Sequence, residues 1–177
     1  MEKNENKKKE TIKTILTYVF IIIAVIIIRV FFIDPVRVDG ESMNTTLSDG
    51  EIMLLNKIVY RKNDIQRFDI VVIDEGDKYI IKRVIALPGE TIEYKNNVLY
   101  INGKEMKDPY PSTETDDFNI TDIGHIKVPG DTYFVMGDNR SDSLDSRYPS
   151  VGVIKKDQIL GRAKFVIWPF NKFGKVE

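Results

Sequence analysis

One uninterrupted apolar segment constrains this chain more than any other feature of its sequence. Residues 15–33 read ILTYVFIIIAVIIIRVFFI, which is 19 residues with a single charge, Arg29. As an α-helix the segment would be about 28 Å long, close to the roughly 30 Å hydrocarbon core of a bilayer. A core helix is usually apolar on one side only, whereas this segment is apolar on every face. The sequence therefore favours a transmembrane helix over a buried core helix.

The charges on either side of this segment predict its orientation. Five lysines precede it: Lys3, Lys7, Lys8, Lys9 and Lys13. By the positive-inside rule, residues 1–14 form a cytoplasmic basic tail, residues 15–33 a single-pass anchor, and residues 34–177 an extracytoplasmic domain. A cleaved signal peptide is disfavoured, because the run is longer than a typical h-region and no A-x-A site follows it.

The composition excludes several kinds of chemistry. The chain has no cysteine, which excludes disulfides, thiolate zinc sites, iron–sulfur clusters and a cysteine nucleophile. Its one histidine, His125, excludes multi-histidine metal sites. With 26 basic and 27 acidic residues the chain lacks a basic footprint for nucleic acid. We therefore expect no metal and no nucleic-acid partner.

The domain after the anchor is predicted to be mainly β. Short runs rich in β-branched and aromatic residues lie at 51–56, 69–74, 79–87, 91–95, 98–102, 132–136 and 161–168. The pairs Asn96-Asn97 and Asn102-Gly103 predict tight turns. Only residues 154–160 are predicted to form a helical turn, and the acidic segment 108–124 is predicted to be a surface loop. This pattern favours a sandwich or barrel-like domain.

Three polar clusters in this domain are candidates for chemistry. Residues 36–51 (VRVDGESMNTTLSDGE) place Ser42 in a turn-prone stretch, and residues 79–90 (YIIKRVIALPGE) place Lys82 within an apolar strand. Residues 136–147 (MGDNRSDSLDSR) are dense in hydroxyls and charges. Taken singly, each cluster has a plainer interpretation: a solvated serine, an edge-strand lysine that deters aggregation, and a loop of paired charges.

A serine nucleophile needs a base, and the sequence offers two candidates. His125 has no recognisable triad signature around it. A lysine among apolar neighbours loses stabilisation of its charge, so the pKa of Lys82 is expected to fall from about 10.4 toward 8. A neutral lysine can replace histidine in a Ser–Lys dyad. Ser42 and Lys82 are therefore the candidate catalytic pair.

The three clusters, in this order behind an N-terminal anchor, resemble the bacterial type I signal peptidases, especially their shorter Gram-positive form. The family pattern G-x-S-M-x-P-T-L corresponds to residues 40–47, K-R-V-x-x-x-P-G-[DE] to residues 82–90, and G-D-N-R-x-x-S-x-D-S-R to residues 137–147. One position departs, because Thr45 stands where the family has a proline that would stiffen the turn. The resemblance, which extends to Trp168, implies a single transmembrane helix followed by an all-β catalytic domain with a small β-hairpin and loop insertion at about 90–130.

The resemblance implies a role for each matching residue of the catalytic machinery. Ser42 would be the nucleophile, and its backbone N–H would donate to the oxyanion. Lys82 would be the general base, and Ser143 would orient the lysine. Some relatives add a serine hydroxyl two residues before the nucleophile; here that position is Gly40 and offers no side-chain donor.

Other matching residues are expected to shape the site. Asp145 and Arg147 would form a buried pair, with Asp138 and Arg140 supporting the same loop. The residues expected to contact substrate are Val38, Met43 and Ile81. Val38 and Ile81 would line shallow pockets for small side chains, although plain core packing accounts for both equally well.

The activity implied by the resemblance is removal of N-terminal signal peptides by a membrane-anchored serine endopeptidase. It would cut exported preproteins after small P1 and P3 residues (A-x-A), in the bacterial cell membrane, as a monomer and without a cofactor, touching lipid through its anchor. The alternatives are a catalytically inactive paralogue and an anchored β domain that binds exported peptides. A repressor-type Ser–Lys protease is disfavoured by the anchor. A Ser–His signal peptidase is disfavoured because Lys82 stands where its histidine would be.

Overall fold

A single long helix opens the structure, a computed structural model that describes residues 2–176. The helix α1 (Glu2–Phe31) includes residues 2–14 of the predicted basic tail, and Ile33, the last residue of the predicted anchor, begins the first strand. Its segment Lys9–Phe31 is long and apolar enough to cross a membrane, and none of it is buried inside the protein. A buried core helix would be covered by the rest of the chain, so that interpretation is wrong.

The rest of the described chain is mainly β, as the sequence predicts. The strands are β1 (Ile33–Arg37), β2 (Ile52–Asn56), β3 (Ile70–Asp74), β4 (Tyr79–Ala86), β5 (Ile92–Lys95), β6 (Val98–Ile101), β7 (Lys104–Met106), β8 (Phe118–Asn119), β9 (Thr132–Met136), β10 (Ile154–Lys155), β11 (Ile159–Trp168) and β12 (Gly174–Lys175). A large antiparallel sheet has the order β1-β2-β11-β3-β4-β9-β10, with β12 beside β11, and a small one has the order β7-β6-β5-β8. The small sheet lies within the 90–130 range predicted for the insertion.

Every apolar run that the sequence marks as a strand contains one, whereas β1 and the shortest strands were not predicted. The sequence predicts a helical turn at 154–160, but only Lys156–Gln158 forms a 3-10 helix, and the residues on either side join β10 and β11. Short helices also form elsewhere: α2 (Val59–Lys62) and the 3-10 helices Ile120–Ile123, Arg140–Asp142 and Phe170–Lys172. These single turns have too few residues to show a helical period.

The acidic segment 108–124 is less exposed than a surface loop would be. Its residues Phe118 and Ile120 are buried, and β8 within it pairs with β5. The Phe118 ring lies 5.3 Å from the Phe134 ring of β9, centroid to centroid, so this segment closes the core between the two sheets. Two apolar residues among many polar ones were enough to anchor it, since each buried side chain of this size contributes about 1.5–3 kcal/mol.

Apolar contacts with the core fix the position of the loop between β1 and β2, which carries Ser42. Met43 and Leu47 are at most 1% exposed and pack with Val38, Met53 and other core residues. Because a buried side chain leaves its backbone little freedom, these contacts limit how far the loop can move. The position of Ser42, next to the buried Met43, is thereby restrained.

A C-terminal segment fastens the far end of the same loop. Lys172, in the 3-10 helix after β11, donates from Nζ to Glu51 Oε1 at 2.5 Å and to Ser48 Oγ at 2.8 Å. The Glu51 side chain is 4% exposed, so its carboxylate depends on Lys172 for a counter-ion, whereas Lys172 is half exposed.

We predict that Lys172→Met lowers the free energy of unfolding by about 1–3 kcal/mol, because the Glu51 carboxylate stays buried without its donor. Urea unfolding of the full chain in detergent measures the effect. The matched control is Lys175→Met, which removes an exposed lysine of β12 and should change stability by less than about 0.5 kcal/mol. Equal stability of the two variants would contradict the prediction.

Candidate active site

Ser42 lies in a tightly closed loop between β1 and β2. The Val38 N–H donates to the Glu51 carbonyl at 2.8 Å, and the Gly50 N–H donates to the Val38 carbonyl at 3.0 Å. Gly40 has a φ of +88°, in the left-handed region that favours glycine, and its N–H donates to Asp49 Oδ1 at 2.9 Å. These bonds present the half-buried Ser42 at the edge of the large sheet.

Lys82 reaches Ser42 from the neighbouring part of the same sheet. It lies in β4, paired with Val71 of β3, and is 4% exposed. Its Nζ donates to Ser42 Oγ at 2.7 Å, although the two residues are 40 positions apart in the chain. Burial lowers the pKa of Lys82 to about 8, while the negative charge of Asp145 acts in the opposite direction. A lysine with this pKa can exist as the neutral amine near neutral pH and can then accept the serine proton.

Ser143 is beside the pair but makes no hydrogen bond to it. It is 6% exposed, and its Oγ has no hydrogen-bond partner within residues 2–176. A Cβ at Gly137 would overlap both Ser143 Oγ and the Ser42 carbonyl oxygen, so these three residues meet at one point. The structure therefore brings Ser143 next to Ser42 and leaves its hydroxyl buried and unpaired, which is an uncommon arrangement.

The loop that carries Ser143 is braced by a buried ion pair. Arg147 donates from Nε to Asp145 Oδ1 at 2.8 Å and from Nη2 to Asp145 Oδ2 at 2.9 Å. The Gly137 N–H donates to Asp145 Oδ2 at 3.1 Å, and Arg147 Nη2 also donates to the Arg140 carbonyl at 2.7 Å. The two ends of the loop are thus tied together, with the Asp145 side chain fully buried.

A second buried pair connects this loop to β4 and to the Ser42 loop. Arg83, which follows Lys82, donates from Nε and Nη2 to the two carboxylate oxygens of Asp138 at 2.8 and 2.7 Å. Thr46 Oγ1 donates to the same carboxylate at 2.5 Å, and the Arg83 guanidinium lies 3.5 Å from the centroid of the Tyr110 ring. Sequence reasoning did not identify Arg83 or Thr46 as site residues. The position of Arg83 directly after the lysine, inside an apolar strand, was the available signal.

Arg140 links the same loop to the small sheet. It is 2% exposed and donates to the Tyr94 hydroxyl at 2.7 Å and to Asp108 Oδ2 at 2.6 Å. Its Nε donates to the Gly137 carbonyl at 2.9 Å. The predicted supporting role of Arg140 stays a prediction, and these contacts show which groups Arg140 would connect in that role.

The residues expected to contact substrate lie together in the core. Val38, Met43 and Ile81 belong to one apolar cluster and are 3%, 1% and 8% exposed. A groove between Val36 of β1 and Tyr79 at the start of β4 shares Val36 and Leu55 with this cluster, but none of the three residues lines it. Within residues 2–176, no group of three or more histidine, aspartate or glutamate side chains is placed to hold a metal ion.

Comparison with known proteins assigns the family. A family model described as signal peptidase, peptidase S26, matches residues 10–168. A signal peptidase I of Bacillus amyloliquefaciens is 41% identical over 99% of this chain and 98% of its own. Signal peptidase I T of Bacillus subtilis strain 168 is 44% identical over 97% and 96%, and signal peptidase IB of Staphylococcus aureus is 36% identical over 94% of both chains.

A solved structure agrees with this assignment. The crystal structure of a signal peptidase I from Enterococcus faecalis V583 matches with a TM-score of 0.51 and 36% identity, over 56% of this chain and 97% of that one. The fold and these relatives define a serine endopeptidase. Within that class, the chain belongs to the signal peptidase family, peptidase S26, which confirms the resemblance carried by the three sequence motifs.

We predict that Gly137→Ala lowers endopeptidase activity at least about 100-fold, because the added Cβ must displace Ser143 or the Ser42 backbone. Cleavage of a preprotein in detergent measures the effect. The matched control is Gly130→Ala, where a Cβ would meet nothing within 4 Å and activity should stay within about twofold. Retention of wild-type activity by Gly137→Ala would show that the contact with Ser42 does not matter to the reaction.

Proposed function

We propose that this chain removes signal peptides from exported preproteins, with Ser42 as nucleophile and Lys82 as general base. The observation that carries the proposal is the 2.7 Å hydrogen bond between Lys82 Nζ and Ser42 Oγ, made by a lysine that is 4% exposed. The substrate class is supported by the relatives, which are named signal peptidase I and which match this chain over almost their whole length.

The reaction is acyl transfer in two steps. Neutral Lys82 takes the Ser42 proton as Oγ attacks the carbonyl carbon of the P1 residue, and the Ser42 N–H donates to the resulting oxyanion. The C–N bond then breaks, and the leaving amine of the mature protein takes the proton from Lys82. Water next hydrolyses the acyl-enzyme, with Lys82 again accepting a proton, and this frees the signal peptide and Ser42.

Ser143 orients Lys82 during this cycle. A buried hydroxyl without a partner costs about 1–3 kcal/mol, so a catalytic state in which Ser143 Oγ accepts a hydrogen bond from Lys82 is favoured. The lysine has to turn from Ser42 toward the incoming water in the second step, and a second acceptor beside Ser42 gives it a defined position there. Arg147, which is paired with Asp145, donates from Nη2 to the Ser143 carbonyl at 3.5 Å and so restrains the Ser143 backbone.

The substrate lies extended beside β1 and β4, and adds strand-like hydrogen bonds to the sheet. Val38 and Ile81 form the walls of shallow pockets, and Met43 closes the floor near Ser42. Because these side chains are packed against the core, the pockets are shallow and accept only small P1 and P3 side chains, which accounts for the A-x-A preference. The groove at Val36 and Tyr79 receives the residues that precede the cleavage site.

The helix α1 anchors the enzyme in the bacterial cell membrane as a single span. The lysines before the span keep the N-terminus in the cytoplasm, which leaves the β domain outside. Anchoring confines enzyme and substrate to one surface, and this raises the effective concentration of the scissile bond.

Thr45 does not argue for an inactive paralogue. A proline there would stiffen the Ser42 loop, but contacts across the loop supply the same restraint. The Ser112 hydroxyl donates to the Asn44 carbonyl, and Thr46 Oγ1 donates to Asp138 at 2.5 Å. The residues on both sides of Thr45 are therefore fixed by the neighbouring loops.

We predict that Ser42→Ala and Lys82→Met each reduce cleavage of an A-x-A preprotein by at least about 10⁴-fold, because the two residues act as one unit. Cleavage by the full chain in detergent is followed by the size of the mature product. The controls Ser150→Ala and Lys104→Ala remove an exposed serine and an exposed lysine and should cut like wild type. A wild type that is folded but no more active than the two dyad variants would instead favour an inactive paralogue.

We also predict an acidic limb in the pH–rate profile near the pKa of Lys82, about 8. Since only the neutral amine is a base, the rate should fall about tenfold per pH unit below that value. The charge of Asp145 raises this pKa, so Asp145→Asn should move the limb to lower pH, while the exposed Asp142→Asn should leave it in place. A limb that stays fixed, or moves to higher pH, in Asp145→Asn would contradict the assignment of Lys82 as base.

A further inference from the structure

We propose that Asn139 is a positioning residue that fixes the direction of the Ser42 backbone N–H toward the oxyanion of the reaction. This inference rests on the proposed function and extends it to a residue with no role assigned above. Asn139 follows Asp138 in the loop after β9 and lies 97 positions after Ser42 in the chain.

Two hydrogen bonds from Asn139 hold the backbone on both sides of Ser42. Its side-chain Nδ2 donates to the Glu41 carbonyl at 3.2 Å, and its own N–H donates to the Ser42 carbonyl at 3.0 Å. The Glu41 carbonyl also accepts the Asn44 N–H at 2.9 Å. Both peptide units that meet at the Ser42 Cα are therefore fixed by contacts from outside the residue.

The first of these bonds acts on the N–H through the peptide plane. The Glu41 carbonyl and the Ser42 N–H belong to one planar unit and point in opposite directions, so a bond that fixes the carbonyl also fixes the N–H. A carbonyl that accepts two hydrogen bonds polarises its own amide, which strengthens the N–H as a donor. Within the described residues the Ser42 N–H donates to no other group, so it is available for an oxyanion.

The site has little to compensate for a misdirected N–H. Gly40 offers no hydroxyl, and its own N–H already donates to Asp49. Removal of one oxyanion donor costs about 10²–10³ in rate, and a donor that is kept but loosened should cost less. Loss of the Asn139 amide should therefore lower the rate by about 10- to 100-fold without weakening the ground-state complex.

The test is Asn139→Leu in the full chain in detergent, since leucine has a similar size but donates nothing. We expect kcat for an A-x-A preprotein to fall about 10- to 100-fold, KM to stay within about twofold, and the acidic limb of the pH profile to stay in place. The matched control is Ser141→Ala, which removes a 3.4 Å hydrogen bond to Asn139 Oδ1 and leaves Nδ2 intact, and it should behave like wild type.

Two peptide probes separate positioning from simple loss of structure. A peptide aldehyde ending in A-x-A forms a tetrahedral adduct with Ser42, and its affinity should fall by the same factor as kcat/KM. The same sequence with a reduced P1–P1′ bond has no carbonyl at the reacting position and should bind Asn139→Leu as tightly as wild type. Asn139→Asp, which keeps the size but turns an acceptor toward the Glu41 carbonyl, should be at least as slow as Asn139→Leu and provides the test if the leucine variant does not fold.

Three results would overturn the inference. The first is an unchanged kcat in both Asn139 variants, and the second is an equal loss of affinity for both probes. The third is a shift of the acidic limb, which would mean that Asn139 acts through the pKa of Lys82 and not through the Ser42 N–H. Failure of the proposed function has a different signature. Wild type and Ser42→Ala would then cut alike and bind the aldehyde alike, and both proposals would fall together.

Discussion

The burial of Lys82 is the constraint on which the rest of the structure depends. A lysine becomes neutral near pH 8 only if water is kept from it, and the large sheet does this by surrounding β4 with β3 and β9. Arg83, one residue further on, is fully buried as well, but a buried guanidinium needs a counter-ion. Because side chains alternate along a strand, the two basic side chains point to opposite faces of the sheet.

The different partners of the two cations follow from this placement. Arg83 meets Asp138 through two hydrogen bonds and lies on the Tyr110 ring, so its charge is compensated. The Lys82 ammonium donates to a neutral hydroxyl, and no carboxylate of residues 2–176 accepts a hydrogen bond from it, so burial dominates its pKa. A carboxylate within hydrogen-bond distance of Nζ would have kept the pKa far above neutrality and the amine protonated. Asp145 is instead occupied by Arg147.

One loop, residues 137–147, joins the parts of the site that the chain order keeps apart. Asp138 connects it to β4 and to Thr46, Asn139 connects it to the Ser42 backbone, and Arg140 connects it to the small sheet. The density of charge in this loop therefore has a structural reason: Asp138 and Arg140 have buried partners elsewhere in the chain, whereas Asp145 and Arg147 pair with each other within the loop. Such shared partners also mean that substitutions here are expected to be non-additive.

The insertion acquires a structural role from the same contacts. Tyr94 and Asp108, which belong to the small sheet and the segment after it, both accept hydrogen bonds from Arg140. Phe118 packs against Phe134 of β9, on the strand that leads into the 137–147 loop. The small sheet thus contacts the 137–147 loop and the strand before it, although neither Ser42 nor Lys82 lies in that sheet.

Local patterns in the sequence were sufficient for the elements with the strongest signals. The apolar segment around Arg29, the main strands and the burial of Lys82 all follow from hydrophobic runs and alternation, which are properties of neighbouring residues. The choice of Ser42 and Lys82 as a candidate pair also came from motifs, and in the structure their side chains lie 2.7 Å apart. The shortest strands and single helical turns were missed, because two to four residues are too few to carry a period. The five-residue strand β1 was missed as well, because its residues IDPVR follow the apolar segment directly and include a proline and two charges.

Tertiary structure alone decided which polar groups meet. The bonds from Asn139 to the Ser42 backbone, from Thr46 to Asp138 and from Lys172 to Glu51 join residues 92 to 121 positions apart. No local pattern encodes such pairs, because they arise only when antiparallel pairing brings the β1–β2 loop, β4 and the loop after β9 to one side of the sheet. The sequence by itself determined the long apolar helix, most of the strands and the candidate pair Ser42 and Lys82, whereas the direction of each hydrogen bond around Ser42 depended on how the strands were paired.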